Sequence, residues 1–509
     1  MKIALANLWT RSTTAAIICG LLALSWGGIG LTLTPGVNHD EVMLNAPARE
    51  WQLYGQPALP LLSGIDPSYA KAYYWHPPGH ILLVRMAYVL LGFSIFSTRL
   101  VSLLFGSMLA AALFSTAWEI TRKLDASYAA VALFFSHSQC WWLPRSGRMD
   151  NAALFLGVAG VFLWIRQRNR PDWRTQVCSG LLIGLSSLFH VVGLYFSAAI
   201  FIAECLRLRH WSWHNACCLL VPACLPLTLW IVIAFATGHG DAWSRQFLGY
   251  QLLQRHSHAP LWLAPFAELT LFIKQSKWQP LFVCILPIAI ITSWKSLGHE
   301  TRDFLAGGAA GAFLLIAATL DKGSGAYPLY WYVWISLLAC TGVPLLLKNR
   351  SIWIRLICWL AILSPFAWQG LNTGIAIYQH AGRNPARVEA FFVSHIPPDS
   401  IVLGPEDIWY GVQSAGAKLL VWEKPDPLRH DFYVTRWGED SPPPLGFHKV
   451  AALPDIMRKV LGRYFSHTSN AYILFTSHES APDKRESCMP VGPNLDFIAS
   501  SCYEWHMSL

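Results

Sequence analysis

Apolar positions along this chain fall in runs of roughly 16 to 23 residues broken by short basic or Gly/Pro-rich connections, and a run of that length suits a helix crossing about 30 Å of hydrocarbon. Such runs predict membrane-spanning helices near 13–33, 98–120, 128–142, 150–166, 176–188, 192–206, 214–236, 278–294, 302–320, 328–347 and 352–371. From about Asn372 the pattern changes. Short strand-like runs at 400–403 and 471–476 alternate with Pro-rich turns and a helical stretch near 454–464, which predicts a small α/β domain. The expected organisation is an all-α polytopic membrane domain over 1–371 and an α/β domain over 372–509.

Composition agrees with this pattern. The 509 residues are 54% hydrophobic and only 13% charged, too few charged groups to cover soluble domains of that mass. A net charge of +9 would suit nucleic acid if the cations shared one face, but they sit in clusters between apolar runs. Those clusters are Arg122 and Lys123; Arg166, Arg168, Arg170 and Arg174; Arg207 and Arg209; Lys295 and Arg302; Lys348 and Arg350. Basic clusters are retained on the cytoplasmic side, so they report orientation. With Lys2 and Arg11 also inside, all of them fall inside only if the short stretch 81–91 does not cross, and it is expected as a surface or re-entrant helix. The outer segments are then 34–80, 144–150, 237–277, 321–329 and the tail. The first apolar segment reads as an uncleaved anchor, being long for a signal peptide and lacking a clear small-residue cleavage site. Ten of the twelve Cys lie in or beside apolar helices; Cys488 and Cys502 fall in the polar tail, where an extracytoplasmic setting permits a disulfide.

Acidic residues are rare, so a pair placed where the chain leaves the membrane needs a reason. Asp40 and Glu41 are such a pair, after Asn38 and His39 and before a short amphipathic helical pattern over 42–54. One reading makes Asp40 the cap of that helix and Glu41 a partner of its dipole; the other makes them chemistry. The same outer segment runs through Tyr73, Tyr74, Trp75, His76, Pro77 and Pro78, aromatics suited to headgroup depth. A second outer turn brings Arg145, Arg148 and Asp150 to the mouth of a helix, either as snorkelling cations and a cap or as a functional set. His39, His76, Glu41 and Asp150 include ligand types for a divalent metal, with Glu41, His76 and Asp150 as the candidates. His256 and His258 with Arg255 could form an acceptor-side lid. His137 and His190 read as hydrogen-bonded structural residues, and Trp141, Trp142, Trp331 and Trp334 mostly as interfacial belt residues.

Taken in order, these short motifs resemble the polyprenyl-phosphate-sugar-dependent glycosyltransferases of the GT-C fold, in the group of protein O-mannosyltransferases and aminoarabinose transferases. The resemblance covers roughly residues 12–350. It rests on Asp40-Glu41, on Trp75-His76-Pro77-Pro78 leading to Gly92, Phe93 and Arg99, and on Arg148-Met149-Asp150. Gly180, Gly184, Leu185 and Ser186 follow, then Asp321-Lys322 and Tyr327-Pro328-Leu329-Tyr330. Where relatives often carry a Lys at the end of the Gly-containing helix, this chain has Phe189-His190.

That resemblance implies a donor sugar joined through phosphate to a long isoprenoid, with Asp40, beside Glu41, as general base on the acceptor hydroxyl. Arg145, Arg148 and Lys322 would stabilise the leaving lipid phosphate. His76, Asp150, Tyr327 and Tyr330 would line the substrate site. No cofactor is required beyond a divalent metal, should the site hold one. The expected partners are the lipid-linked donor, a lipid, polysaccharide or protein acceptor, and membrane lipids, with no nucleic acid. The expected location is the bacterial plasma (inner) membrane, with the N-terminus cytoplasmic and the tail periplasmic. The rival is a multi-pass transporter or flippase of lipid-linked sugars, which would usually show two related halves and charges near the midplane.

Overall fold

The structure is a computed structural model that describes residues 2–167, 172–206, 213–249, 263–275, 280–319, 327–348, 351–436, 444–456 and 470–477. Two compact units are formed. The first comprises Met1–Leu31, Leu44–Pro57 and Tyr73–Gly374; the second comprises Thr32–Met43, Ala58–Ala72 and Ile375–Leu509. The outer segment 34–80 is therefore divided between the units, and the second unit is more than a C-terminal tail.

The first unit is helical. Its leading elements are α1 (Lys2–Gly28), α3 (Gly79–Leu91), α4 (Ile95–Thr121), α5 (Leu124–Ser136), α6 (Ser138–Trp142), α7 (Asp150–Gln167), α8 (Trp173–Phe189), α9 (Tyr195–Leu206) and α10 (Trp213–Ala236). Between α1 and α3 runs α2 (His39–Tyr54). Further helices span Pro280–Ser296, His299–Thr319, Pro328–Ala339 and Ile352–Tyr378. Among the described residues four helices are long and apolar enough to cross a membrane alone, and five if the pair Ser138–Arg145 and Asp150–Gln167, bent by 115°, counts as one span. Several remaining apolar helices, α3 and α5 among them, are shorter.

Local chemistry explains the element ends. Ser94 caps α4, its Oγ accepting the N–H of Ser97 at 3.1 Å. Arg122 ends the same helix in the left-handed region at φ 55°. Asp172 caps α8 by accepting from the amides of Arg174 and Thr175. The span expected at 128–142 is broken: His137 is extended, and its Nδ1 accepts the N–H of Gln139 at 3.3 Å, so α5 stops and α6 starts afresh.

Close helix packing rests on small residues. A Cβ on Gly180 would lie 2.4 Å from the Leu219 carbonyl, and one on Gly184 would lie 2.8 Å from that of Ala223, so both glycines bring α8 against α10. On its other side α8 is tied to α7 by Ser179 Oγ donating to the Gly160 carbonyl at 2.7 Å and Ser186 Oγ to that of Ala153 at 2.6 Å. The core also takes in Trp331 and Trp334, which are buried among Phe272, Phe304 and Phe313 instead of standing in an interfacial belt. Tyr73 and Trp75 are likewise buried.

The second unit contains a five-stranded sheet of β1 (Ile401–Leu403), β2 (Lys418–Leu420), β3 (Phe432–Arg436), β4 (His448–Leu453) and β5 (Tyr472–Thr476) in the order β2-β1-β3-β5-β4. β1 pairs parallel with β2 and β3, while β5 pairs antiparallel with β3 and β4. The expected strands at 400–403 and 471–476 correspond to β1 and β5. The 59–70 loop packs beside the edge strand β2: the Leu61 carbonyl accepts the N–H of Val421 at 3.3 Å, covering part of an edge that would otherwise be open. Most of the helical stretch expected at 454–464 lies outside the described residues, as do Cys488 and Cys502.

Candidate functional site

In the first unit a polar cluster forms where several helices end together. α7 begins at Asp150, whose buried carboxylate accepts from Arg148 Nε at 2.9 Å. The turn before it needs a left-handed residue, supplied by Gly147 at φ 62°. The Gly147 carbonyl accepts from Asn45 Nδ2 at 2.9 Å and stands 3.0 Å from His80 Nε2. His80 Nε2 lies 3.0 Å from Asn45 Oδ1 as well, so it faces two acceptors and carries the imidazole proton. Ser102 Oγ of α4 donates to the Arg148 carbonyl at 2.5 Å, which fixes the backbone beneath the guanidinium.

Imidazole and phenol rings surround this pair. The rings of His76 and His190 are 6.0 Å apart, and His190 lies 5.5 Å from Tyr327 and 6.2 Å from Tyr330. His190 is placed by the end of α8, its Nδ1 accepting the N–H of Val192 at 3.2 Å. Gly79 lets the segment after His76 approach that end: a Cβ there would fall 2.7 Å from the Leu188 carbonyl. Burial, then the neighbouring His190 and Arg148, push the His76 pKa well below its ordinary value. Burial, only partly offset by Asp150, lowers His190 to about 4. Both imidazoles are therefore neutral at pH 7; His76 carries one donor and one acceptor, while His190, its Nδ1 taken by Val192, offers its Nε2–H donor. Together with Arg148 they make a site that can hold hydroxyls and an anionic oxygen.

Arg145 is used differently. It is buried, its Nη1 and Nη2 donate to the carbonyls of Gly27 and Gly30 at 2.6 and 2.9 Å, and its guanidinium lies over Trp141 at 4.5 Å. It thus closes the C-terminal end of α1, where helix carbonyls lack internal partners. Arg99 supports the same region through Nη1 donating to the Leu31 carbonyl at 2.8 Å.

Asp40 and Glu41 belong to the second unit. The cap of α2 is Asn38, whose Oδ1 accepts the N–H of Glu41 at 3.1 Å, and not Asp40, which is exposed in the first turn. Glu41 is fully buried. Within this unit His39 Nδ1 lies 3.3 Å from Glu406 Oε1, and its ring packs 4.6 Å from that of Trp422. Burial, the largest single influence, raises the Glu406 pKa, but the hydrogen bond and charge of His39 together with hydrogen bonds from the Glu406 amide and Trp422 outweigh it and hold the carboxyl below its ordinary value.

The expected site residues Arg148, Asp150, His76, Tyr327 and Tyr330 are thus brought together in the first unit. Lys322 lies outside the described residues, as do Arg255, His256 and His258. Among the described residues no three His, Cys, Asp or Glu side chains gather as a metal site. Sequence reading missed Asn45, His80 and Ser102, whose partners are distant in the chain; His190, expected as a hydrogen-bonded structural residue, does accept the N–H of Val192 and also stands in the cluster. The one available signal was that His190 stands at the end of the Gly-containing helix.

No protein-family model matches the chain, and no curated protein matches it in sequence. Its structure is similar to that of ArnT, an aminoarabinose transferase from Cupriavidus metallidurans, solved bound to undecaprenyl phosphate: TM-score 0.63, 13% identity, covering 91% of this chain and 98% of that one. The apo form of the same protein gives 0.63 at 12% identity, covering 93% and 98%. The apo oligosaccharyltransferase of Archaeoglobus fulgidus gives 0.50 at 11% identity, covering 85% and 69%. At these identities the likeness speaks to architecture, and the architecture is that of the GT-C fold: a polytopic helical membrane unit carrying a small α/β sheet.

Proposed function

We propose that this chain is an integral membrane glycosyltransferase that moves a sugar from a polyprenyl-phosphate-linked donor to an acceptor hydroxyl on the outer face of a bacterial plasma membrane. The observation that carries the reading is the convergence of Trp75-His76, Arg148-Asp150, His190 and Tyr327-Tyr330 at one cluster of helix ends in a GT-C fold. A transporter would have no evident need for that set at one end of its helices.

In this reading Asp40 takes the proton from the acceptor hydroxyl while its oxygen attacks the anomeric carbon. The bond between that carbon and the phosphate oxygen breaks, and the electron pair leaves with the lipid phosphate. Inversion follows from direct displacement. Arg148, held in orientation by Asp150, balances the charge growing on the phosphate, with Lys322 as a second cation. Neutral His76 and His190 with Tyr327 and Tyr330 position sugar hydroxyls. Glu41 supports the first turn of α2. Arg145 serves the end of α1 and is not assigned to the donor.

The test is transfer by the purified protein in lipid nanodiscs, offered a panel of polyprenyl-phosphate sugars with Asp40→Asn beside the wild type. Turnover with one sugar, lost in the variant while donor is still bound, is the expected result. Failure to bind or consume any donor would return the chain to the transporter reading.

A further inference from the structure

A hollow in the second unit is lined by Gly64, Trp422, Glu423, Lys424, Pro425, Asp426 and Arg429 and has a volume of about 480 Å³. Trp422 is 53% exposed, a large ring left in water beside a polar hollow. Its backbone sits at φ 61°, where a side chain other than glycine's is strained, and such strain persists where the surroundings hold it for a purpose. The ring also packs at 4.6 Å from His39, the residue before Asp40.

Glu423 lies deep in the hollow, its side chain 8% exposed. Its Oε2 stands at ion-pair distance, 3.4 Å, from both Arg429 and His430, and among the described residues neither carboxylate oxygen accepts a hydrogen bond. The carboxylate packs directly on Gly64: a Cβ there would fall 1.9 Å from Glu423 Oε1, so only glycine lets Glu423 take this place in the lining. A buried carboxylate with acceptor capacity to spare costs stability unless a ligand donates to it.

The lining balances two carboxylates, Glu423 and Asp426, against two cations, Lys424 and Arg429. A phosphate or another strongly anionic ligand would meet repulsion from half of these groups. A neutral molecule with several hydroxyls and one apolar face meets none: hydroxyls donate to Glu423 and accept from Lys424 and Arg429, and the C–H face lies on the indole.

We infer that this hollow is a carbohydrate subsite that holds a neutral saccharide of the acceptor beside Asp40. This deepens the proposed transferase reading and rests on it for the word acceptor, while the binding itself does not. His39, packed at a tilt against Trp422 and hydrogen-bonded to Glu406, is the positioning residue that links the subsite to the base.

The experiment is saturation-transfer NMR on the full chain in nanodiscs with three neutral disaccharides, diacetylchitobiose, mannobiose and galactobiose. One or more should bind the wild type, with binding about tenfold weaker in Trp422→Gly, which removes the ring and relaxes the backbone, and retained in Trp422→Phe. Gly64→Val, which displaces the Glu423 carboxylate from the lining without touching the ring, should weaken it similarly. Absence of binding to the wild type, or binding unchanged in both Trp422→Gly and Gly64→Val, overturns the subsite. Saccharide binding in a protein that transfers no sugar from any polyprenyl-phosphate donor leaves the subsite standing and removes the transferase reading.

Discussion

Asn38 Oδ1 accepts the backbone N–H of Glu41 at 3.1 Å, so the first turn of α2 is closed by a neutral amide and the adjacent Asp40 carboxylate is not its cap. Stability and chemistry can therefore be separated at neighbouring positions. Asn38→Ala should cost about 1 kcal/mol of stability. Asp40→Asn, at an exposed position, should change stability by no more than about 0.5 kcal/mol while lowering transfer roughly 10² to 10⁴-fold. Thermal unfolding beside the transfer rate checks both, and an Asp40→Asn variant that unfolds early with its rate intact would make Asp40 structural.

Arg148 and Asp150 are buried partners, and removing one strands the other. Arg148→Ala should destabilise the protein by about 3 to 5 kcal/mol. Adding Asp150→Asn should return much of that stability but none of the transfer activity, because the cation proposed to balance the phosphate is still missing. Recovery of activity in the double variant would show that Arg148 acts on the fold alone.

Arg145 should behave in the opposite way. Arg145→Ala withdraws two donors from the carbonyls of Gly27 and Gly30 and should cost about 1 to 3 kcal/mol, yet leave the donor KM unchanged. A raised donor KM with an unaltered melting temperature would move Arg145 into the donor site.

Acid should loosen the site through His190. Its pKa in the folded protein is about 4, below the value near 6.5 of a free imidazole. Below pH 6.5 the unfolded chain binds a proton that the folded chain refuses, so this contribution is whole above pH 6.5 and is lost as pH falls towards 4. By pH 5 the loss should reach about 2 kcal/mol. His190→Asn should flatten melting temperature against pH over that window, and an unchanged profile would assign the acid sensitivity to other groups.

Much of the helical unit was legible because lipid imposes a length and a polarity on each segment, which hydropathy reads directly. The ends of α4, α7 and α10 fall within three residues of the expected boundaries. Three features were not legible, for physical reasons. The break at His137 depends on one ring accepting one amide, a choice invisible to a hydropathy window. Trp331 and Trp334 have the composition of belt residues, and only the aromatic partners around them put them in the core. In the site, the order of motifs suggested Arg148, Asp150 and Tyr327, whereas His80, Asn45 and Ser102 join them through contacts between residues 35 to 102 positions apart or with backbone groups, which carry no local pattern.

The Leu61 to Val421 hydrogen bond bears on how the protein is made. The sheet needs Ala58–Ala72, synthesised early, and strands synthesised last, with most of the helical unit translated between them. The early segment must wait without its final partner while the helices insert, so loop closure over that separation comes late and slows maturation. A tail expressed alone would lack a piece of its own edge, and a ribosome that stopped before β2 would leave that early segment open to proteases.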